Sequence, residues 1–149
     1  ALIHDHLLLI NSDLIDMAEI SIANDEREMK QLLKDDNIKL ILVSAQNASI
    51  LKKKEIDLFV NIHSFQEMTK EIIKKYFDII SSNNAYFYCE NREIKKLYGG
   101  ELIEFDKYPW MKGRKFIFDY VNWGNLYYTR KFPFIRKKKS KMKYAIVKY

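Results

Sequence analysis

The sequence predicts an α/β fold, in which parallel strands alternate with helices and are followed by an antiparallel, β-rich end. Three observations carry this. Apolar runs of strand length stand at residues 38–44 (IKLILVS) and 57–62 (DLFVNI), apolar on both faces as strands buried in a parallel sheet are. Residues 65–80 between that second run and the next, 85–89 (AYFYC), have helical spacing, and strands separated by helices imply crossovers and a parallel sheet. Beyond Arg92 the helical periodicity stops, and 19 of the 21 aromatic residues lie at or beyond Tyr76, which marks a change to β-rich texture.

In chain order, residues 6–11 (HLLLIN) are a short apolar strand candidate, with Ser12 or Asp13 able to cap a helical region that runs to about Asp35. Asp25 and Glu28 have capping-box spacing, so a break near Asn24 divides that region into two helices. The helix over 65–80 would bury Met68, Ile72, Tyr76, Ile79 and Ile80 and turn Lys70, Lys74 and Lys75 to water. In the last part, residues 101–105, 115–121, 126–130 and 144–149 are strand candidates, with Gly124-Asn125 marking a turn. The final YAIVKY is expected to pair antiparallel at or near a sheet edge.

A chain of 149 residues suits one domain with a real core, since a domain of this length buries roughly two-thirds of its unfolded surface. With 48% hydrophobic and 31% charged residues, two prolines and four glycines, it is neither collagen-like nor disordered in composition. A single cysteine, Cys89, excludes an internal disulfide and fits a reducing cytoplasm. No apolar run approaches the roughly 20 residues that span a bilayer, so no membrane span is expected. The net charge of +6 is local: residues 130–143 hold eight basic and no acidic residues, while the remainder sets 18 basic against 20 acidic. That run reads either as a solvated hairpin loop or as a phosphate-binding segment. A nucleic-acid partner is not expected, because an aromatic-rich β end serves core and edge packing more often than base stacking.

Ligands of open α/β sheets bind beyond the carboxyl ends of the strands. The residues there are polar in four places, 11–13, 44–47, 61–67 and 90–92, which points to a shared cleft. Ser64 and Glu67 have S-x-x-E spacing, so both can start a helix, and Glu67 can alternatively act as a general base. His63, between strand and helix, can accept a proton from a hydroxyl group or be plain polar surface. His4 and His6 have no carboxylate grouping with metal spacing, and no metal is expected.

The segment DLFVNIHSFQEM, the helix end KKYFDII and the strand AYFYCENR together resemble the putative sugar O-methyltransferase family. Asn61, Ser64, Phe65, Glu67 and Met68 match its N-x-x-S-F-x-E-M pattern, residues 86–92 its F-Y-x-x-N-R strand end, and Tyr108-Pro109-Trp110 its Y-P-W segment. The resemblance covers about residues 38–110. It implies a Rossmann-like class I methyltransferase sheet with an antiparallel final strand, S-adenosylmethionine as methyl donor, and a sugar or glycan acceptor in polysaccharide biosynthesis. By position, His63 or Glu67 would be the base. Asn61 would lie near the methyl group, Asn11 and Asp13 after the second strand near the ribose, and Gln46 and Asn47 near the adenine. Ser64, Asn91 and Arg92 would orient the acceptor.

One departure is plain in the sequence. The four glycines, Gly99, Gly100, Gly113 and Gly124, all come late, so no G-x-G turn precedes the second strand. The chain is then expected to be either the later part of a methyltransferase domain, alternating β/α over 1–92 and β-rich over 93–149, or a reduced relative. Two other readings stand beside it: a non-catalytic module engaging an anionic partner through residues 130–143, and self-association through an open sheet edge.

Overall fold

A computed structural model describes residues 16–111, 115–122, 126–131, 134–139 and 141–149. The strand expected at 6–11, Asn11, Asp13 and the turn at Gly124-Asn125 lie outside them. The chain is a mixed α/β protein of two compact units, Ala1–Leu51 and Lys52–Tyr149. Among the described residues no helix is long and apolar enough to cross a membrane.

In the first unit, β1 (Ile20–Ala23) pairs parallel with β2 (Leu40–Val43), Ile20 opposite Leu40 and Ala23 opposite Val43. The sequence placed Ile20–Ala23 inside a helical region. The structure corrects this, because the β-branched alternation of ISIA finds a ladder beside β2, and tertiary pairing overrides weak local preference. The break near Asn24 is there. Helix α1 (Glu26–Leu32) begins after Asp25, whose Oδ1 accepts from the Glu28 N–H at 2.8 Å, while Glu28 Oε2 accepts from the Asn24 N–H at 2.8 Å. Glu28 thus reaches one residue beyond the reciprocal capping box, with the same result of closing the first turn.

In the second unit four strands form one mixed sheet in the order β3 (Leu58–Ile62), β4 (Tyr86–Arg92), β10 (Met142–Lys148) and β7 (Lys115–Asn122). β3 runs parallel to β4, and β10 runs antiparallel to both β4 and β7. The last strand therefore pairs antiparallel as expected, one place in from the edge. Between β4 and β7, the short strands β5 (Ile94–Lys96) and β6 (Leu102–Glu104) pair antiparallel. Their turn needs Gly100, whose φ of 90° L side chains rarely adopt. β8 (Leu126–Lys131) and β9 (Phe134–Lys139) form a separate two-stranded ribbon.

Helix α2 (Lys70–Ser81) covers one face of the four-stranded sheet. It starts later than the sequence implied, because Thr69 and not Ser64 is its cap: Thr69 Oγ1 accepts from the Ile72 N–H at 3.4 Å. Residues Phe65–Glu67 form a short 3-10 turn instead. The later start rotates the buried stripe. Ile73, Phe77, Ile79 and Ile80 are buried, whereas Ile72 is 41% exposed and Met68 and Tyr76 only border the core. Lys70, Lys74 and Lys75 face water as expected.

The core under α2 is aromatic. Phe77 meets Trp110 edge-on at 5.0 Å and Phe87 edge-on at 5.6 Å, geometries that favour positive ring edges against negative faces. Trp110 Nε1 donates to the Phe105 carbonyl at 2.9 Å, so the Tyr108-Pro109-Trp110 segment closes this core. The sheet's other face differs from the two-sided burial expected of 57–62: Leu58, Val60 and Ile62 are each more than half exposed. Only the alternate positions Phe59 and Asn61 turn toward α2.

Candidate functional site

β3 and β4 lie side by side in parallel, so their carboxyl ends meet: Asn61 is opposite Cys89 and Ile62 opposite Glu90. Residues 90–92, expected in a loop after the strand, instead continue β4 to Arg92, since β10 pairs with it all the way to Met142. Strand alternation then sorts the side chains. Cys89 and Asn91 enter the covered face with Phe87, and Tyr88 and Glu90 take the other face.

On the covered face a network of amides joins the two strand ends. Asn91, fully buried, donates through Nδ2 to Asn61 Oδ1 at 2.7 Å and to Cys89 Sγ at 3.2 Å, and its Oδ1 accepts from the Gln66 N–H at 3.1 Å. Asn61 Nδ2 donates to Ser64 Oγ, and Gln66 Oε1 accepts from the Arg92 N–H at 2.8 Å. Within this network each buried amide finds a partner in the protein, as burial without water requires. Ser64 therefore serves Asn61 and makes no side-chain cap bond, which corrects the capping-box expectation. Asn91 and Asn61, expected at acceptor and donor, are 0% and 7% exposed, and their amides are engaged within the protein.

On the open face His63 leads. Its φ of 59° lies in the left-handed region, disfavoured for a residue with a Cβ by about 1–2 kcal/mol. The His63 N–H donates to the Glu90 carbonyl at 2.8 Å, and ring Nε2 lies 2.9 Å from Glu90 Oε1. Tyr88 donates its hydroxyl to Glu90 Oε2 at 2.9 Å. Burial first, and the bond to Glu90 second, push the Tyr88 phenol up to about 12, so it remains a donor through the physiological range. The Cys89 thiol beneath is pushed up to about 12 by burial, which keeps it a neutral thiol and a poor nucleophile.

Glu67 does not join His63. Its Oε1 pairs with Lys95 Nζ at 2.9 Å and accepts from Gln66 Nε2 at 3.4 Å, the carboxylate being about half exposed. Gln46 and Asn47 follow β2 in a 3-10 stretch, Ala45–Leu51, of the first unit, with Gln46 exposed and Asn47 partly buried. Among the described residues no group of three or more His, Cys, Asp or Glu side chains could hold a metal ion. A groove of about 170 Å³ beside α2, lined by Ile73, Ile103 and Tyr108 with Lys70 and Lys74, shares no residue with the His63 cluster.

Sequence reasoning placed His63 and the polar strand ends but missed Tyr88, Gln66 and Lys95. Tyr88 and Glu90 were legible as a pair, being two apart in a strand and so on one face. Gln66 carried no such signal. No known protein family, curated protein or solved structure matches the chain.

Proposed function

We propose that the chain belongs to an S-adenosylmethionine-dependent O-methyltransferase that acts on a sugar hydroxyl. The observation that carries this is the half-exposed imidazole of His63, held by Glu90 just beyond the carboxyl end of β3 and beside the last residues of the parallel β4, the side of such sheets on which ligands bind. Two further observations favour it. The segments bearing the N-x-x-S-F-x-E-M and F-Y-x-x-N-R patterns meet through Asn61, Ser64 and Asn91, as parts of one motif should. A final antiparallel strand, β10, lies beside β4, the kind of ending that the resemblance implies.

Acceptor and donor halves stand differently. His63 would take the proton of the sugar hydroxyl as its oxygen becomes the nucleophile, with Ser64, next in sequence, and Arg92, two residues beyond Glu90 in β4, to orient the sugar. S-adenosylmethionine would supply the electrophilic methyl group. The described residues do not assemble a site for it: the Asn61 amide is engaged by Asn91 and Ser64, and the sequence has no early G-x-G turn. Donor binding is accordingly not assigned to any described residue. Calorimetry with S-adenosylmethionine on this chain and on the full-length product of its gene tests this. Binding by the full-length product is expected, and its failure to bind would sink the proposal.

A second reading is favoured by where the positive charge sits. Of the eight basic residues in 130–143, Lys141 pairs with Glu93 and Lys143 with Asp106. The other six lie in the β8–β9 ribbon, where residues 136–139 are all basic and stand opposite Thr129, Tyr128, Tyr127 and Leu126. Neither strand contains an acidic residue. Such a ribbon is suited to an anionic polymer. Affinity for heparin that falls steeply with salt, and vanishes when residues 136–139 are neutralised, would favour binding as the primary role.

A further inference from the structure

We propose that Glu90 is a positioning residue that fixes His63 as its Nε2–H tautomer, making Nδ1 the atom that accepts the substrate proton, with Tyr88 bracing Glu90 for that purpose. This rests on His63 being the proton acceptor of the proposed reaction, and it adds which atom acts and what holds it. An ionised carboxylate only accepts hydrogen bonds. Both Glu90 oxygens are engaged, Oε2 by the Tyr88 hydroxyl at 2.9 Å and Oε1 by the His63 ring at 2.9 Å. The ring nitrogen facing Oε1 must therefore carry the proton. In the neutral ring the lone pair is then confined to Nδ1.

The backbone geometry supports the same assignment. Glu90 grips His63 twice, through its carbonyl to the His63 N–H at 2.8 Å and through its carboxylate to the ring. The left-handed φ of 59° that this grip sustains is unfavourable for histidine, and such strain persists where the surroundings over-determine it. Exposure is divided to match. The Glu90 side chain is 16% exposed and the His63 side chain 43%, so the orienting carboxylate is shielded while the ring stays open to a solute. Tyr88 and Glu90 reach the same face because they are two apart in β4, and β3 delivers His63 beside them because Ile62 is in register with Glu90.

The test is ¹⁵N-resolved NMR of the histidine rings in the neutral state, on this chain without any methyl donor, with His63 signals assigned by their loss in His63→Asn. The expected result is a single tautomer, Nε2 protonated and hydrogen-bonded with a slowly exchanging proton, Nδ1 bare. In Glu90→Leu the ring is expected to become a mixture of tautomers and its N–H proton to exchange with water. Should Glu90→Leu not fold, Tyr88→Phe serves, with faster N–H exchange expected and the Nε2–H form retained. A proton on Nδ1 in the unaltered protein, or His63 signals unchanged in the variant that folds, would overturn the proposal. Because these readings need no catalysis, a correct tautomer without methyl transfer in the full-length protein would refute the reaction and leave the positioning intact. Where transfer is measured, Glu90→Leu is expected to lower kcat on the order of tenfold or more and leave KM nearly unchanged.

Discussion

Asn91 shows how one residue's role turns on its neighbours. As part of an N-R strand end it reads in sequence as a ligand-facing amide, yet it is fully buried, satisfying Asn61, Cys89 and the Gln66 N–H together. Its burial depends on β10, some fifty residues later in the chain, and on the 3-10 turn that brings Gln66 across, neither of which local spacing reveals. Asn91→Leu strands the Gln66 donor and weakens the hold on Asn61, so it is expected to cost about 1–3 kcal/mol, read as a lower urea midpoint at unchanged slope. Cys89 and Tyr88, together with Tyr108 whose phenol burial also raises, contribute to the alkaline limit. Cys89 and Tyr88 have folded-state pKa values raised to about 12, so the stability they confer is complete below their unfolded values, near 9 and 10. That stability is lost as pH rises toward 12, and thermal midpoints measured from about pH 8 to 11 are expected to fall through the upper part of that range. In the folded protein at pH 8, Cys89 is expected to resist thiol reagents and to react on denaturation.

Helix α2 is where the pattern was nearly legible at the scale of the element. Its existence and its lysine-bearing outer face follow from spacing, but two S/T-type starts compete, Ser64 with Glu67 and Thr69 with the residues after it. Ser64 loses because its hydroxyl serves Asn61 and because Glu67 is drawn to Lys95. With the helix starting five residues later, the core stripe is Ile73, Phe77 and Ile80. Thr69→Ala is expected to cost about 0.5–1 kcal/mol, the low end for a cap since its bond is long, whereas Glu67→Gln is expected to change stability by less than about 1 kcal/mol as an exposed pair does. Chemical unfolding of the two variants side by side separates these. β1 was illegible for a different reason: four residues of strand following a 3-10 turn hold no periodicity long enough to compete with the helical pattern around them.

For the whole molecule, the α/β class, the parallel β3–β4 pair and the antiparallel end were all readable from apolar runs and from the aromatic crowding after Tyr76. The division at Leu51 was not, because no proline- or glycine-rich linker marks it. The candidate site was half readable. Positions after strands drew attention to His63, but the partner that orients it, Glu90, sits inside a strand that runs three residues longer than its apolar core. The proposed chemistry would thus belong to the carboxyl-terminal part of the parallel β3–β4 pair, and the amide network behind it ties the two strands together there.

The most direct measurement is methyl transfer from labelled S-adenosylmethionine to a panel of sugars by the full-length gene product and its His63→Ala variant. The account predicts that both proteins bind the donor and that transfer by the variant falls on the order of a hundredfold or more, the loss expected when a positioned base is removed. Equal transfer by the two proteins, or no transfer to any sugar by a folded full-length protein, would contradict it.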